Sequence, residues 1–224
     1  MKSVQVAIDG PSGAGKSTIA KELSKKLGFV YIDTGAMYRA VGLYVVNKGI
    51  SIHDEAGVVA VLDEIDIDIY YKDELQHINL CGEDVTHLIR TPEISMAASK
   101  VSSYMKVREK LVDMQRKLGE KYSVIMDGRD IGTCVLPDAN VKIFLTADVK
   151  VRAQRRYDEL IEKGQDVTYE FVLSDMEKRD YDDSHREHSP LRRADDAIEL
   201  DTADLTLEES IAAVRQIISE RTGL

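Results

Sequence analysis

A glycine-rich run between residues 10 and 18 has the composition and spacing of a phosphate-binding loop. Glycines let successive backbone N–H groups converge on phosphate oxygens, and a helix that follows points its positive end at the same charge. Lys16 would reach the β- and γ-phosphates of a nucleoside triphosphate, and the Ser17 hydroxyl would meet a Mg²⁺ cofactor. The predicted triphosphate site consists of Gly10, Pro11, Ser12, Gly13, Ala14, Gly15, Lys16, Ser17 and Thr18.

Arginines and carboxylates follow two of the short apolar runs that predict strands. Tyr38 and Arg39 fall in the first turns of a predicted helix after the run at 29–32, and Arg129 and Asp130 follow the run at 123–127. The carboxyl ends of parallel strands form the ligand-binding edge of an open α/β sheet. Guanidinium groups suit phosphate because they donate two parallel hydrogen bonds. The pattern therefore predicts a second anion-binding pocket beside the loop.

The charge distribution favours a small anionic ligand over a polymer. The 224 residues carry a net charge of −10, which argues against a nucleic-acid partner, yet seven of the fourteen arginines fall between residues 152 and 193. A phosphate loop occurs in switch GTPases, motor ATPases and small-molecule kinases alike. The guanine-reading pattern N-K-x-D is absent from the sequence, and the clustered arginines favour a kinase, since phosphoryl transfer needs positive groups around the migrating phosphoryl.

Hydrophobic periodicity predicts an α/β fold with an open parallel sheet. Short apolar runs without polar alternation predict buried parallel strands at 3–9, 29–32, 123–127, 141–146 and 197–200. Helical patterns lie between them at 16–27, 35–47, 105–118, 148–163 and 169–180, and a capping box of Thr206 and Glu209 begins the last helix. Residues 65–86 alternate instead, which predicts a small antiparallel β insert with a turn at 72–74.

The bulk composition is that of a globular protein, with 43% hydrophobic and 31% charged residues. No apolar run approaches the roughly 20 residues of a membrane span, and the first residues do not form a signal peptide. We expect a cytoplasmic protein without a membrane or nucleic-acid partner. Because no heptad repeat is visible in the sequence, we expect a monomer.

Four motifs resemble, in order and spacing, those of the bacterial cytidylate kinase family. They are IDGPSGAGK at 8–16, DTGAMYR at 33–39, DGRDIGT at 127–133 and RDYDDSHR at 179–186. The glycine loop is shared by many families, whereas the other three motifs together are specific. The resemblance runs from about residue 3 to the C-terminus. It implies a three-layer P-loop nucleoside monophosphate kinase that transfers the γ-phosphate of ATP to CMP or dCMP, with ATP, CMP and dCMP as its partners.

The resemblance also implies a division of one domain into three parts. A core would comprise about 1–35, 106–150 and 187–224, a monophosphate-binding insert about 36–105, and a short helical lid region about 152–186. Arg152, Arg155 and Arg156 would lie on the lid over ATP. The residues that would act in catalysis are Lys16, Arg129, Arg152 and Arg156.

The resemblance assigns roles within the acceptor pocket as well. Arg39 and Arg129 would grip the acceptor phosphate with help from Arg186, while Thr34 lies nearby. Arg179 and Asp183 would hold the sugar hydroxyls, and Ser99, Arg108 and Asp130 would read the cytosine edge. The implied CMP-binding set is Thr34, Tyr38, Arg39, Ser99, Arg108, Arg129, Asp130, Arg179, Asp183 and Arg186.

Elementary chemistry supports these residue types and leaves three questions open. A carboxylate such as Asp130 accepts from the cytosine amine, whereas uracil reverses the donor and acceptor pattern at that edge. Asp127 would either cap the end of a strand or orient Mg²⁺ through water. A kinase with another acceptor, such as UMP or shikimate, fits the loop equally well. A nucleotide-dependent switch or regulatory binding module is the alternative outside the kinases.

Overall fold

Eight strands form two sheets in the computed structural model, which describes residues 3–72 and 75–224 apart from the side chain of Leu75. Asp73 and Glu74, within the turn predicted at 72–74, lie outside the described residues. The strands are β1 (Gln5–Asp9), β2 (Val30–Asp33), β3 (Ile67–Lys72), β4 (Leu75–Leu80), β5 (Glu83–Asp84), β6 (Val124–Gly128), β7 (Val141–Thr146) and β8 (Ile198–Asp201).

Eight α-helices connect and cover these strands. They are α1 (Lys16–Leu27), α2 (Thr34–Asn47), α3 (Glu55–Ala60), α4 (Pro92–Val101), α5 (Met105–Lys121), α6 (Val149–Glu162), α7 (Tyr169–His185) and α8 (Leu207–Thr222). The predicted strands and helices are confirmed to within a few residues, except that α7 runs five residues beyond its predicted end. Helices α3 and α4 went unpredicted, although Asp54 caps α3, and Thr91 caps α4 with Pro92 in its first turn.

The larger sheet is parallel throughout, with the strand order β2-β6-β1-β7-β8. Because the strands point the same way, their carboxyl ends meet at one edge. The register pairs Asp33 of β2 with Asp127 of β6, and Asp9 of β1 with Gly128. Three carboxylates from distant parts of the chain therefore approach one another at this edge.

Alternate residues of the strands face helices on opposite sides, which gives three layers. Val6 and Ile8 pack with α1 and α8, whereas Ala7, between them on β1, packs in the cluster that contains Val112 of α5. This arrangement confirms the predicted α/β fold. On the last helix, Leu207 is 44% exposed, whereas Ile211, one turn later, is buried. Within the residues that the structure describes, no helix is long and apolar enough to span a membrane.

The phosphate loop lies between β1 and α1, and its shape depends on glycines that approach neighbouring backbone closely. Gly10 has a φ of 148°, and a Cβ there would lie 2.0 Å from the carbonyl oxygen of Leu145 on β7. Gly13 has a φ of 76°, and a Cβ there would lie 2.8 Å from Cε of Met176 on α7. The loop is thus pressed between the sheet and α7, and few other residues could adopt this path.

The antiparallel β insert is confirmed and consists of β3, β4 and β5. It belongs to a hydrophobic cluster of its own that includes Val41 of α2, Ile78 of β4 and Val107 of α5. Helices α2 and α4 pack closely at Gly42, which has no side chain. A Cβ at this position would lie only 3.1 Å from Cβ of Ala97. A fourth cluster joins α6 to α7 through Ala153, Leu160, Val172 and Met176.

Candidate active site

One cavity of about 690 Å³ opens at the carboxyl edge of the parallel sheet. Residues 12–18 of the phosphate loop form one wall, and the opposite wall carries arginines and carboxylates from β2, α2, α5, β6 and α7. The predicted residues that line it are Ser12, Gly13, Ala14, Gly15, Lys16, Ser17, Thr18, Thr34, Tyr38, Arg39, Ser99, Arg108, Asp127, Arg129, Asp130, Arg155, Arg156, Arg179, Asp183 and Arg186. Gly10 and Pro11 lie outside the lining because they turn the loop against the sheet.

Lys16 is the buried cation of the phosphate loop. Its Nζ donates a 2.5 Å hydrogen bond to the carbonyl oxygen of Pro11, and the residue is only 6% exposed. Burial lowers the pKa of Lys16, and the nearby positive charge of Arg129 lowers it further. A phosphate group that entered this wall would oppose both effects on the pKa, since an anion favours the charged ammonium. The lysine is therefore set to bind phosphate.

Ser17 of α1 and Asp127 of β6 contact each other beside the phosphate loop. The Ser17 hydroxyl donates to Oδ2 of Asp127 at 2.7 Å, and the Tyr31 hydroxyl donates to Oδ1 at 2.8 Å. Burial and the neighbouring carboxylate of Asp33 raise the pKa of Asp127. A hard cation would relieve this unfavourable charge, and hydroxyl and carboxylate oxygens are the ligands that Mg²⁺ prefers. The donor set fits Mg²⁺ held chiefly by the nucleotide.

Two arginines of the opposite wall are paired with carboxylates. Nη2 of Arg39 lies 2.8 Å from Asp33, which also caps α2 by accepting from the backbone N–H of Ala36. Nε of Arg129 lies 2.7 Å from Oδ2 of Asp183. Burial acts to raise the pKa of Asp183, but the charge and hydrogen bond of Arg129, together with the charges of Arg186 and Arg179, lower it. Both guanidinium groups keep further N–H donors for a ligand.

Asp130 is the centre of a buried polar group. Arg108 donates to Oδ2 of Asp130, and Nη2 of Arg186 lies 3.5 Å from its Oδ1. Arg108 also stacks over Tyr38, with its Cζ atom 5.7 Å from the ring centroid. Arg186, which is predicted to help bind the acceptor phosphate, lies beside Asp130 in the structure.

Three further predicted residues line the cavity at its margins. The Thr34 hydroxyl donates a 2.7 Å bond to the carbonyl oxygen of Asp127 at the end of β6. Ser99 lies on α4, on the face that also brings Ser95 and Ser102 to the cavity. Burial lowers the pKa of Arg179, and Arg129 adds to this effect.

The three arginines of α6 differ in where they point. Arg156 lines the cavity and pairs with Glu159 at 2.7 Å, while Arg155 lines it and donates to the carbonyl oxygen of Thr202 at 2.6 Å. Arg152 does not line the cavity. Its side chain lies behind the loop and donates to the carbonyl oxygens of Ser12 at 2.9 Å and Ala147 at 2.8 Å.

Several residues at the site escaped prediction from the sequence. Asp9 accepts hydrogen bonds from the backbone N–H groups of Ile131 and Gly132, both at 2.7 Å, and thereby joins the ends of β1 and β6. Lys21 and Arg90 also line the cavity. The only sequence signal for Lys21 was its position one helical turn after Ser17, and Arg90 follows no strand.

The fold and the two facing walls define a P-loop kinase, since a triphosphate-binding loop faces an arginine-rich pocket across one cavity. Comparison with known sequences narrows this class. The sequence model described as Cytidylate kinase matches residues 6–220. A cytidylate kinase of Caldicellulosiruptor bescii is 54% identical over 217 residues, which cover 97% of this chain and 96% of that protein.

A cytidylate kinase of Bacillus subtilis is 45% identical over 221 residues, which cover 99% of both proteins. A solved structure, of an uncharacterized protein from Eubacterium ventriosum, superposes with a TM-score of 0.52 at 15% identity over 98% of this chain and all of that one, and shows a shared fold. The chain belongs to the cytidylate kinase family and is a nucleoside monophosphate kinase.

Proposed function

We propose that this kinase transfers the γ-phosphate of ATP to CMP or dCMP and forms ADP with CDP or dCDP. The observation that carries the proposal is the single cavity of about 690 Å³, which has a phosphate loop on one wall and the Asp130 group on the other. Donor and acceptor can meet there without leaving the protein. The family of the chain supports cytosine nucleotides as acceptors.

The donor phosphates would lie on residues 10–18, with Lys16 at the β- and γ-phosphates. Mg²⁺ would be held by the nucleotide and the Ser17 hydroxyl, with Asp127 orienting it through water. When bound, the ion neutralises charge on the phosphates during transfer. Arg155 and Arg156 would approach the donor from α6. Arg152 supports catalysis in this proposal by holding the loop from behind through Ser12.

The acceptor phosphate would exchange partners with existing ion pairs. Arg39 and Arg129 are bound to Asp33 and Asp183, and both retain donors that face the cavity. The acceptor oxygen is already a nucleophile near neutral pH, so its attack needs no general base. Rate acceleration would come from alignment and from charge neutralisation. Arg179 and Asp183 would hold the sugar hydroxyls, and Thr34 would lie beside them.

The cytosine edge would be read by the group around Asp130. Its carboxylate can accept from the N4 amine, and a guanidinium can donate to N3. Arg186 lies against Asp130 together with Arg108, which supports a role at the base rather than at the phosphate. Ser99 would contact the nucleoside from α4, while Tyr38 supports Arg108 from below.

We further propose that the insert at about 36–105 and the lid at about 152–186 close over the core, at about 1–35, 106–150 and 187–224, when substrates bind. Closure would exclude water, which otherwise hydrolyses ATP. The hydrophobic cluster confined to α6 and α7 supports motion of the lid as a unit.

A coupled assay of ADP release tests the proposal directly. Purified protein is supplied with ATP·Mg²⁺ and, in separate reactions, CMP, dCMP, UMP, AMP or shikimate. We expect CMP and dCMP to give the highest kcat/KM. If UMP, AMP or shikimate matches them, the assigned specificity is wrong. If ATP hydrolysis is slow and no acceptor changes it, the switch or regulatory module is the better description.

We also propose that the protein acts as a cytoplasmic monomer, where ATP and nucleoside monophosphates are available to it. Analytical ultracentrifugation checks the monomer: a single species near 25.1 kDa is expected, and a species of twice that mass would contradict it.

A further inference from the structure

Arg90 is a cavity-lining arginine to which the family resemblance assigned no role. It ends a 3₁₀ turn at Leu88–Arg90, directly before α4. Ile89 in the same turn is 1% exposed and fixes the turn in the core, whereas the side chain of Arg90 is exposed and lines the cavity. Arg90 forms no hydrogen bond and no ion pair with any of the residues that the structure describes, 3–72 and 75–224. The backbone of Arg90 is thus held in place, while its guanidinium is free to bind a ligand.

Three other arginines of the acceptor wall contrast with Arg90. Arg39, Arg108 and Arg129 each contact a carboxylate of the protein. A phosphate that binds these groups must compete with the existing pairs. Arg90 would not have to break such a pair, because its donors are not committed.

A second cation, Lys21, lines the same cavity as Arg90 and lies close enough for the two charges to interact. Lys21 lies on α1 one turn beyond Ser17, half-buried, with Nζ 5.8 Å from the centre of the Tyr31 ring. Burial lowers the pKa of Lys21, and the positive charge of Arg90 lowers it further. Asp33 is the nearby carboxylate, and it is already bonded to Arg39. Like charges held together in this way repel each other, and a bound anion would remove the repulsion.

We propose that Arg90 is a third guanidinium ligand of the acceptor's phosphate, and that it binds the phosphate dianion of a nucleoside monophosphate alongside Arg39 and Arg129. This inference rests on the proposed function, because it takes the arginine-rich wall to be the acceptor site. Lys21 remains near Asp33 and offsets its charge when Arg39 turns to the ligand.

Helix α4 couples this contact to recognition of the nucleoside. Arg90 directly precedes α4, and Ser99 lies on the face of α4 that lines the same cavity. With a rise of about 1.5 Å per residue, the two residues are separated by roughly 13 Å along the helix. A nucleoside monophosphate in an extended pose, together with the reach of an arginine side chain, can bridge that distance. One rigid element would then contact both ends of the acceptor.

The test compares ligands that differ only in the phosphate. Binding of CMP, cytidine and an ATP analogue is measured by calorimetry or by competition for the unaltered protein, for Arg90→Gln and for Arg90→Lys. Arg193→Gln is the matched control, because Arg193 is half-exposed and pairs with Glu199 away from the cavity. Thermal unfolding checks that each variant is folded, which is expected because the Arg90 side chain is exposed.

For Arg90→Gln, we expect CMP to bind roughly ten- to a hundredfold more weakly, because a charge-assisted contact is lost. The affinities for cytidine and for the ATP analogue should not change. Arg90→Lys should retain part of the CMP affinity. Unchanged CMP binding, equal weakening of CMP and cytidine, or a loss confined to the ATP analogue would each overturn the inference. If unaltered protein phosphorylates neither CMP nor dCMP, the proposed function itself fails. That result differs from a failure of the Arg90 inference alone, in which the unaltered protein phosphorylates CMP but Arg90→Gln binds CMP normally.

Discussion

The guanidinium of Arg152 lies 2.6 Å from the carboxylate of Asp180 and joins α6 to α7 directly behind the phosphate loop. The same guanidinium donates to the carbonyl oxygen of Ser12. Three residues beyond Asp180 on α7, Asp183 binds Arg129 on the cavity side. Helix α7 is therefore linked to the donor loop through Asp180 and Arg152, and to the acceptor wall through Asp183.

Arg152→Met should destabilise the fold and weaken ATP binding. Loss of one partner from a buried ion pair costs about 3–5 kcal/mol, and the low end applies because the side chain of Asp180 is 23% exposed. The Ser12 carbonyl also loses its donor, so we expect the KM for ATP to rise. Urea unfolding and steady-state kinetics measure the two effects. Arg193→Met removes the same charge at a half-exposed site and should stay within about 0.5 kcal/mol of the parent. Equal stability of the two variants would contradict this expectation.

Arg129→Met should reduce turnover and spare the donor site. The charge of Arg129 acts on Lys16, and its Nε donates to Asp183, so its charge would act on the transferring phosphoryl group. We expect kcat to fall by about a hundredfold or more, while the Kd for ATP changes by less than about threefold. Rapid-quench or steady-state kinetics together with nucleotide titration measure this. Turnover within tenfold of the parent would show that the phosphate clamp lies elsewhere.

Asp130→Asn should lower the preference for CMP over UMP. An amide presents an N–H donor where the carboxylate offers an acceptor for the cytosine amine, and Arg108 and Arg186 lose their shared anion. We expect the ratio of kcat/KM for CMP to that for UMP to fall at least about tenfold. Asp182→Asn is the control, because Asp182 is exposed on α7. An unchanged ratio in Asp130→Asn would exclude Asp130 as the base-reading group.

The stability contributed by Asp9 should change with pH. Burial raises its pKa to about 6 from the usual 3.8, so the folded protein holds this proton more tightly than the unfolded chain does. The contribution of Asp9 to stability is therefore full below pH 3.8 and is lost as pH rises through 6. The free energy of unfolding, taken relative to Asp9→Asn, should fall by about 2 kcal/mol between pH 4 and pH 7.

Urea unfolding at several pH values measures this difference for the parent and for Asp9→Asn. Asp204→Asn is the control at an exposed position and should show no such trend. If the free energy of unfolding of the parent rose relative to that of Asp9→Asn with increasing pH, the result would contradict the raised pKa of Asp9.

Residues next to strands could be predicted from the sequence, and residues that depend on distant contacts could not. Arg39, Arg129 and Asp130 were found because each follows an apolar run, and parallel strands end at one edge. The partners of Asp9 are 122 and 123 residues away along the chain, and nothing near Asp9 indicates them. Such contacts depend on the strand order, which periodicity does not determine.

Helix periodicity also does not predict which neighbour each polar side chain of a helix contacts. Arg152, Arg155 and Arg156 lie on one helix. Because all three are arginines, the sequence gives no reason to assign them different contacts. In the structure, Arg152 turns to the loop because Asp180 lies opposite it, 28 residues later, while Arg156 turns to the cavity. Arg90 was missed for a different reason, since its short turn has neither strand nor helix periodicity. The family resemblance added roles that the residues alone could not supply.

The carboxylates that hold the acceptor-wall arginines have a consequence for selectivity. Asp33, Asp130 and Asp183 together contact four guanidinium groups, and a ligand that takes up the paired N–H donors has to displace these contacts. A free phosphate or a free nucleoside replaces only some of them and recovers only part of the free energy lost. A complete nucleotide replaces contacts at both ends of the wall. The wall thus sets an energetic threshold against fragments of its own substrate.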